Sequence, residues 1–334
     1  MIPLVRNITS CIVFVALLMS NLLSANYKNL LKDPDYQCYQ IDSNRTFFYK
    51  KPGGFDFITN LPKDYVDFYY DTFSGEYLFD IGIITLSTAV MIVYDQPMID
   101  AVQKVGRQWR IGNGDGTSTM LKIGDLPVFR GPTDIGSAMY FIGDGWTHLG
   151  LGVSFLTYGL INNDNRALQT ASQIAEGMLT TGLATQVLKH ITGRESPFVA
   201  TCDAGCWDLF PNQIEYHKKV PHYDAFPSGH LTTAMMTFTV IAENYPEYKY
   251  IRPLGYSLMT ILSLQMMNNG VHWISDYPLA IGMGYLLGKA AVNRGRVEVK
   301  NNKNDIDTAW YKKISLNLAM NPFQGVSLGL RYKF

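Results

Sequence analysis

Three short segments of this chain carry side chains suited to handling a phosphate. The first is Lys189-His190-Ile191-Thr192-Gly193-Arg194-Glu195-Ser196-Pro197, which supplies two cations beside a helix-stopping glycine. The second, Pro227-Ser228-Gly229-His230, opens an apolar stretch. The third is His272-Trp273-Ile274-Ser275-Asp276. On a helix, His272 and Asp276 would share one face. A carboxylate there can accept the imidazole Nδ1–H and fix the tautomer whose Nε2 is nucleophilic. Ser228 and Gly229 at a helix start offer a hydroxyl and backbone N–H groups where an anion is favoured. His230 can give or take a proton near neutral pH, and Lys189 adds positive charge. If the segments converge, they make a phosphate-binding site with a histidine nucleophile.

Their order and spacing resemble the type 2 phosphatidic acid phosphatase superfamily, which includes bacterial acid phosphatases and vanadium haloperoxidases. Its pattern runs Lys, six residues, Arg-Pro; then Pro-Ser-Gly-His; then Ser-Arg, five residues, His, three residues, Asp. Lys189, Pro197, the block Pro227-Ser228-Gly229-His230, His272 and Asp276 fall in register. Gly143-Asp144-Gly145, ahead of another apolar helix, also looks like exported bacterial members. The resemblance implies that His272 attacks phosphorus and forms a phosphohistidine. His230 would protonate the leaving oxygen and then activate water, while Asp276 orients His272. Lys189, Ser228 and the Gly229 N–H would hold the equatorial oxygens. It further implies hydrolysis without a metal or other cofactor, acting on a phosphorylated small molecule or a lipid (pyro)phosphate.

Two positions depart from that pattern. Ser196 stands where the family has Arg before Pro, and Met266, preceded by Gln265, stands where it has Ser-Arg. Each missing guanidinium would contribute about 1.5–3 kcal/mol as a hydrogen bond to a charged group. Losing both uncompensated amounts to about 10²- to 10⁴-fold in rate. Arg194 is the expected substitute for the first, and Asn268 or Asn269 for the second. A vanadate-dependent peroxidase would need the same absent arginines. The competing reading is a helical envelope protein with a weakened or inactive site, acting through binding or membrane contact.

The elements that must position these residues read as mostly helical. Apolar windows at 83–94, 146–161, 231–242, 255–267 and 277–288 are shorter than a comfortable membrane span, and fit buried or interfacial helices. Asp164 or Asn165 could cap a long helix that Gly193 ends, and the 197–226 loop is long enough to be functional. The fold expected is a mostly α helical bundle of the phosphatidic acid phosphatase/haloperoxidase type with a C-terminal β-hairpin. Period-two alternation from Ile314 to Met320 and from Val326 to Phe334, on either side of a turn, predicts that hairpin. The segments would be a signal peptide over 1–25, an N-terminal arm and first helices over 26–132, the helical domain over 133–294, and a linker with the hairpin over 295–334. Within the arm, 26–75 reads as irregular.

Composition bounds the partners and the compartment. The 334 residues hold 28 Lys plus Arg against 28 Asp plus Glu, a balance that argues against a nucleic-acid binder. Charged residues make up only 17%, against about a quarter in ordinary soluble proteins. The chain therefore has either a large core or a surface facing something other than water, so a membrane surface is a candidate partner. Arg6, a short apolar stretch and a small-residue exit near Ala25 describe an export signal, hence a periplasmic or envelope location. In that compartment Cys202 and Cys206 would close a small disulfide. Free thiols, and after them a zinc site shared with His217 and His222, are the lesser alternatives, and with the disulfide Cys38 would stay unpaired.

Overall fold

Helix punctuation in the sequence frames the molecule. In this computed structural model, which describes residues 29–73, 77–114, 116–300, 314–321 and 325–332, the Asp164 carboxylate accepts the Ala167 N–H and opens a 28-residue helix. Gly193 ends that helix in the left-handed conformation, at φ 52°, which glycine adopts without a Cβ penalty. The 1–25 leader lies outside the described residues.

The helices are α1 (Asp56–Thr59), α2 (Leu61–Phe73), α3 (Leu78–Gln108), α4 (Ile135–Phe141), α5 (Gly145–Asn162), α6 (Asn165–Thr192), α7 (Gln213–Lys218), α8 (Gly229–Asn244), α9 (Ile251–Asn268) and α10 (Tyr277–Gly295). The architecture is mostly α, as the sequence predicts. One core cluster joins Ile99 of α3, Leu231 and Met235 of α8, Leu262 and Met266 of α9, and Trp273. A second joins Ile174 of α6, Met236 and Val240 of α8, and Val292 of α10. Leu316 and Leu330 pair across the C-terminal hairpin, formed by β6 (Ile314–Asn321) and β7 (Gly325–Tyr332).

Three segments differ from the sequence reading. Part of the 26–75 arm is ordered as β1 (Tyr36–Gln40) and β2 (Arg45–Lys50), and β2 also pairs with β5 (Arg296–Lys300), where a linker was expected. Thr46, Phe47, Phe48 and Tyr49 are all buried, so the polar alternation that would announce a half-exposed strand is missing. A second hairpin, β3 (Thr117–Ile123) with β4 (Leu126–Pro132), lies between α3 and α4. The apolar window 83–94 belongs to the 31-residue α3, whose most apolar stretch is only 6% buried. α3 meets the core at Ile99, and most of its apolar stretch lies outside it.

Ion pairs dock the N-terminal helices onto the bundle. Arg294 of α10 reaches Asp64 and Asp67 of α2, and Glu176 of α6 at 3.4 Å. Burial first, and then the neighbouring Asp64 carboxylate, raise the Glu176 carboxyl above its ordinary range.

Close packing of α8 on α10 sets the position of the Ser228–His230 segment. A Cβ on Gly284 would sit 2.4 Å from the Thr232 carbonyl oxygen, and backbone cannot move aside cheaply. Gly284→Ala should therefore cost about 1–3 kcal/mol through overpacking. Urea denaturation of the variant beside the wild type reads this directly.

Candidate functional site

The three chemistry-bearing segments meet at one end of α6 and α8. Lys189 lies in the last turn of α6, Ser228 caps α8, and His272 precedes a 3-10 turn at Ile274–Asp276. The Ser228 N–H donates to the Asp276 carbonyl at 3.3 Å, tying the second segment to the third. Ser228 is fully buried, and its hydroxyl accepts the Leu231 N–H at 3.5 Å. Gly229 follows as the first residue of α8.

His272 and Asp276 come together by a turn and not by the helical face that their spacing allowed. The imidazole Nδ1 lies 2.7 Å from the Ala225 carbonyl and 3.4 Å from Asp276 Oδ2. A carbonyl only accepts, so Nδ1 carries the hydrogen and Nε2 keeps its lone pair. The backbone of Ala225 therefore fixes the tautomer, with Asp276 as a longer second acceptor. Asp276 Oδ2 accepts the Trp273 N–H at 2.8 Å, which holds the turn closed.

His230 stands beside the ring of Tyr140, at 4.7 Å between centroids. Burial, followed by the charges of His272, Lys189 and His148, pushes its imidazole down to about 3. The charges of His272, Lys189 and His148 thus reach the His230 imidazole. Lys189 is mostly buried, and its ammonium lies 3.4 Å from Asp224. His148, in α5, is 1% exposed, and burial lowers it to about 4. His190 turns away and stacks on Tyr216 at 4.0 Å.

Arg194 does not take the place expected of it among the phosphate-binding groups. It is fully buried behind His272. Its Nη1 donates to Ser275 Oγ at 2.7 Å and Asp276 Oδ1 at 2.5 Å. Nη2 donates to Asp95 Oδ2 at 2.5 Å and the Ala204 carbonyl at 2.7 Å. All four terminal N–H groups are thereby used. The rings of Trp207 and Trp273 lie 4.7 and 5.4 Å from the guanidinium carbon.

Asn268 and Asn269 are likewise engaged. Asn268 donates to the Gly112 carbonyl at 3.0 Å; Asn269 accepts from Gln265 at 2.6 Å through its oxygen, while its buried amide nitrogen has no partner among the described residues. Ser196 and Met266, at the two departed positions, are both buried, and the Ser228 hydroxyl lies 3.5 Å from the Met266 sulfur. Lys189 is left as the cation facing His230 among the described residues. Cys202 and Cys206 form a disulfide in the loop beyond Arg194, so their sulfurs are not shared with His217 and His222. Cys38 is a free, exposed thiol.

Sequence reasoning missed Asp95, Ala225, Ser275 and Tyr140. Asp95 had a signal, being an acid directly after an apolar window. Ala225 had none, since its part is played by a backbone carbonyl.

Fold and site define a mostly α-helical protein whose histidines and buried lysine come from three loop-and-helix junctions. Residues 170–297 match the PAP2 superfamily model, which supports membership of the type 2 phosphatidic acid phosphatase superfamily. The match supports phosphatase chemistry in general. It includes Lys189, His230 and His272 and leaves Asp95 and His148 outside. No curated protein and no solved structure matches the chain significantly.

Two outcomes follow for stability. Arg194→Met would leave Asp95 and Asp276 buried without their cation, a loss of about 3–5 kcal/mol measurable by chemical denaturation. Burial holds the His148 imidazole at about 4, below the 6.5 of a free histidine. Between those values the unfolded chain binds a proton that the folded chain refuses, so stability falls as pH falls. The contribution approaches about 1.4 kcal/mol per pH unit. His148→Gln should flatten this part of the acid limb, read from denaturation midpoints at pH 7 and pH 5.

Proposed function

We propose that the protein is an exported, metal-independent phosphatase acting on a phosphomonoester or a lipid (pyro)phosphate through a phosphohistidine. The observation that carries the reading is the 2.7 Å contact from His272 Nδ1 to the Ala225 carbonyl, which leaves Nε2 as the nucleophile. In the first step Nε2 attacks phosphorus, a P–N bond forms, and the bond to the leaving oxygen breaks as His230 gives that oxygen a proton. In the second step water attacks phosphorus, His230 takes the water proton, and His272 leaves. Burial, followed by the charges around it, lowers the His230 imidazole to about 3. A bound phosphate, being anionic, favours its protonated form and supplies the acid when substrate is present. Lys189 and the Ser228 and Gly229 segment at the start of α8 would hold the phosphoryl oxygens.

The lipid preference and the envelope location rest on the surface. Leu78, Phe79, Ile83, Leu86, Val90 and Val93 of α3 are exposed, and this helix has a mean hydropathy of 1.6 over its most apolar window. Leu149, Val153, Leu156 and Leu160 of α5 are exposed as well. An apolar surface of this extent is suited to a membrane surface. The Cys202–Cys206 disulfide accords with an oxidising compartment.

A second reading, a phosphatase-like envelope protein with a weakened or inactive site, is favoured by Met266 standing against the Ser228 hydroxyl. The purified protein should release phosphate from a panel of soluble and lipid phosphates, and His272→Ala should reduce release to background. Absence of release across the whole panel would reject the enzyme and leave the binding protein.

A further inference from the structure

We infer that Asp95 is a positioning residue for His272, acting from α3 through Arg194 and the turn that carries Asp276. The inference rests on the reading of His272 as the nucleophile. Asp95 lies outside the residues matched by the family model, on the long helix whose apolar surface is largely exposed. Its carboxylate is fully buried. Oδ1 accepts the Ser275 N–H at 3.0 Å; Oδ2 accepts the Ser275 hydroxyl at 2.6 Å and Arg194 Nη2 at 2.5 Å. One side chain thus holds both the backbone of the 3-10 turn and the guanidinium that grips Asp276 Oδ1.

The consequence for His272 runs along two routes. Through the side chain, Arg194 is divided between two carboxylates, Asp95 and Asp276. Asp95 thereby draws part of the guanidinium's charge, which leaves Asp276 Oδ2 a better acceptor for the Trp273 N–H and for His272 Nδ1–H. Through the backbone, the Arg194 carbonyl accepts the Ala225 N–H at 3.0 Å, and the Ala225 carbonyl is the direct acceptor of His272 Nδ1–H. Arg194 therefore governs both acceptors of the nucleophile's ring, and Asp95 determines where Arg194 sits. Nucleophilic attack needs Nε2 in line with phosphorus, so a ring free to rotate or change tautomer lowers the chemical step more than substrate binding.

The test uses the full-length protein and the Asp95→Asn variant, which preserves volume and one acceptor for Ser275. Histidines are labelled with ¹⁵N, and His272→Ala assigns the His272 signals. Wild type should show one tautomer, protonated at Nδ1, with a slowly exchanging proton. In Asp95→Asn that proton should exchange faster and the two tautomers should mix. On any substrate that the wild type hydrolyses, kcat should fall by about 10- to 100-fold with KM changed less than about twofold. Ser275→Ala keeps both ion pairs and takes the place of Asp95→Asn if that variant does not fold. It should shift the same signals in the same direction by less. An unchanged His272 spectrum with unchanged kcat would overturn the inference, as would an equal loss in kcat/KM that comes wholly from KM. The spectrum is read without substrate. A protein that hydrolyses nothing yet loses its fixed tautomer in the variant would refute the phosphatase reading and leave the positioning role standing.

Discussion

A single guanidinium shared by two carboxylates, all three without solvent exposure, is the interaction on which the rest of the site depends. Charges in such a place are tolerated only when each finds its partners in good geometry, because desolvation opposes every one of them. Arg194 meets that condition with four terminal hydrogen bonds and two flanking indole rings. Satisfying it requires the loop after α6, the middle of α3 and the turn before α10 to converge. That convergence brings His272 to Lys189 and His230. The turn that carries His272 and Asp276 is thus held by a contact at Arg194.

The same contact explains how the chain uses its few charges. At the two positions where the family supplies guanidinium groups, this protein has a buried serine and a buried methionine. The arginine retained nearby is committed to structure. Lys189 faces His230, and the Asp224 carboxylate partly offsets its charge. His230 and His148 are held neutral by burial. Transition-state charge would be met by Lys189 and by backbone and hydroxyl dipoles at the start of α8, with fewer cationic contacts than the family pattern provides.

The low charge fraction acquires a second meaning on the outside. Rows of exposed leucine, isoleucine and valine on α3 and α5 lie away from the core clusters. These side chains stand on the helices that flank the site. α3 therefore has two tasks in one helix: an apolar exposed surface along its first turns, and Asp95 buried against the turn that carries Asp276.

The sequence by itself determined what local chemistry can determine. Asp164 and Gly193 bound α6 because a carboxylate satisfies the free N–H groups of a first turn and glycine accepts a positive φ. Ser228 opens α8 for the first of these reasons. The motif spacing identified Lys189, His230, His272 and Asp276 as the residues to watch. Tertiary structure decided the rest. Strand β2 was hidden because burial on both faces erases alternation. Asp95 and Ser275 are 180 residues apart in the chain, and no periodicity links them. Arg194 seemed available for phosphate because a sequence shows that a cation is present but not what already surrounds it. Only the fold brings Asp95 to it, and a guanidinium whose terminal N–H groups are filled has no fork left for a ligand.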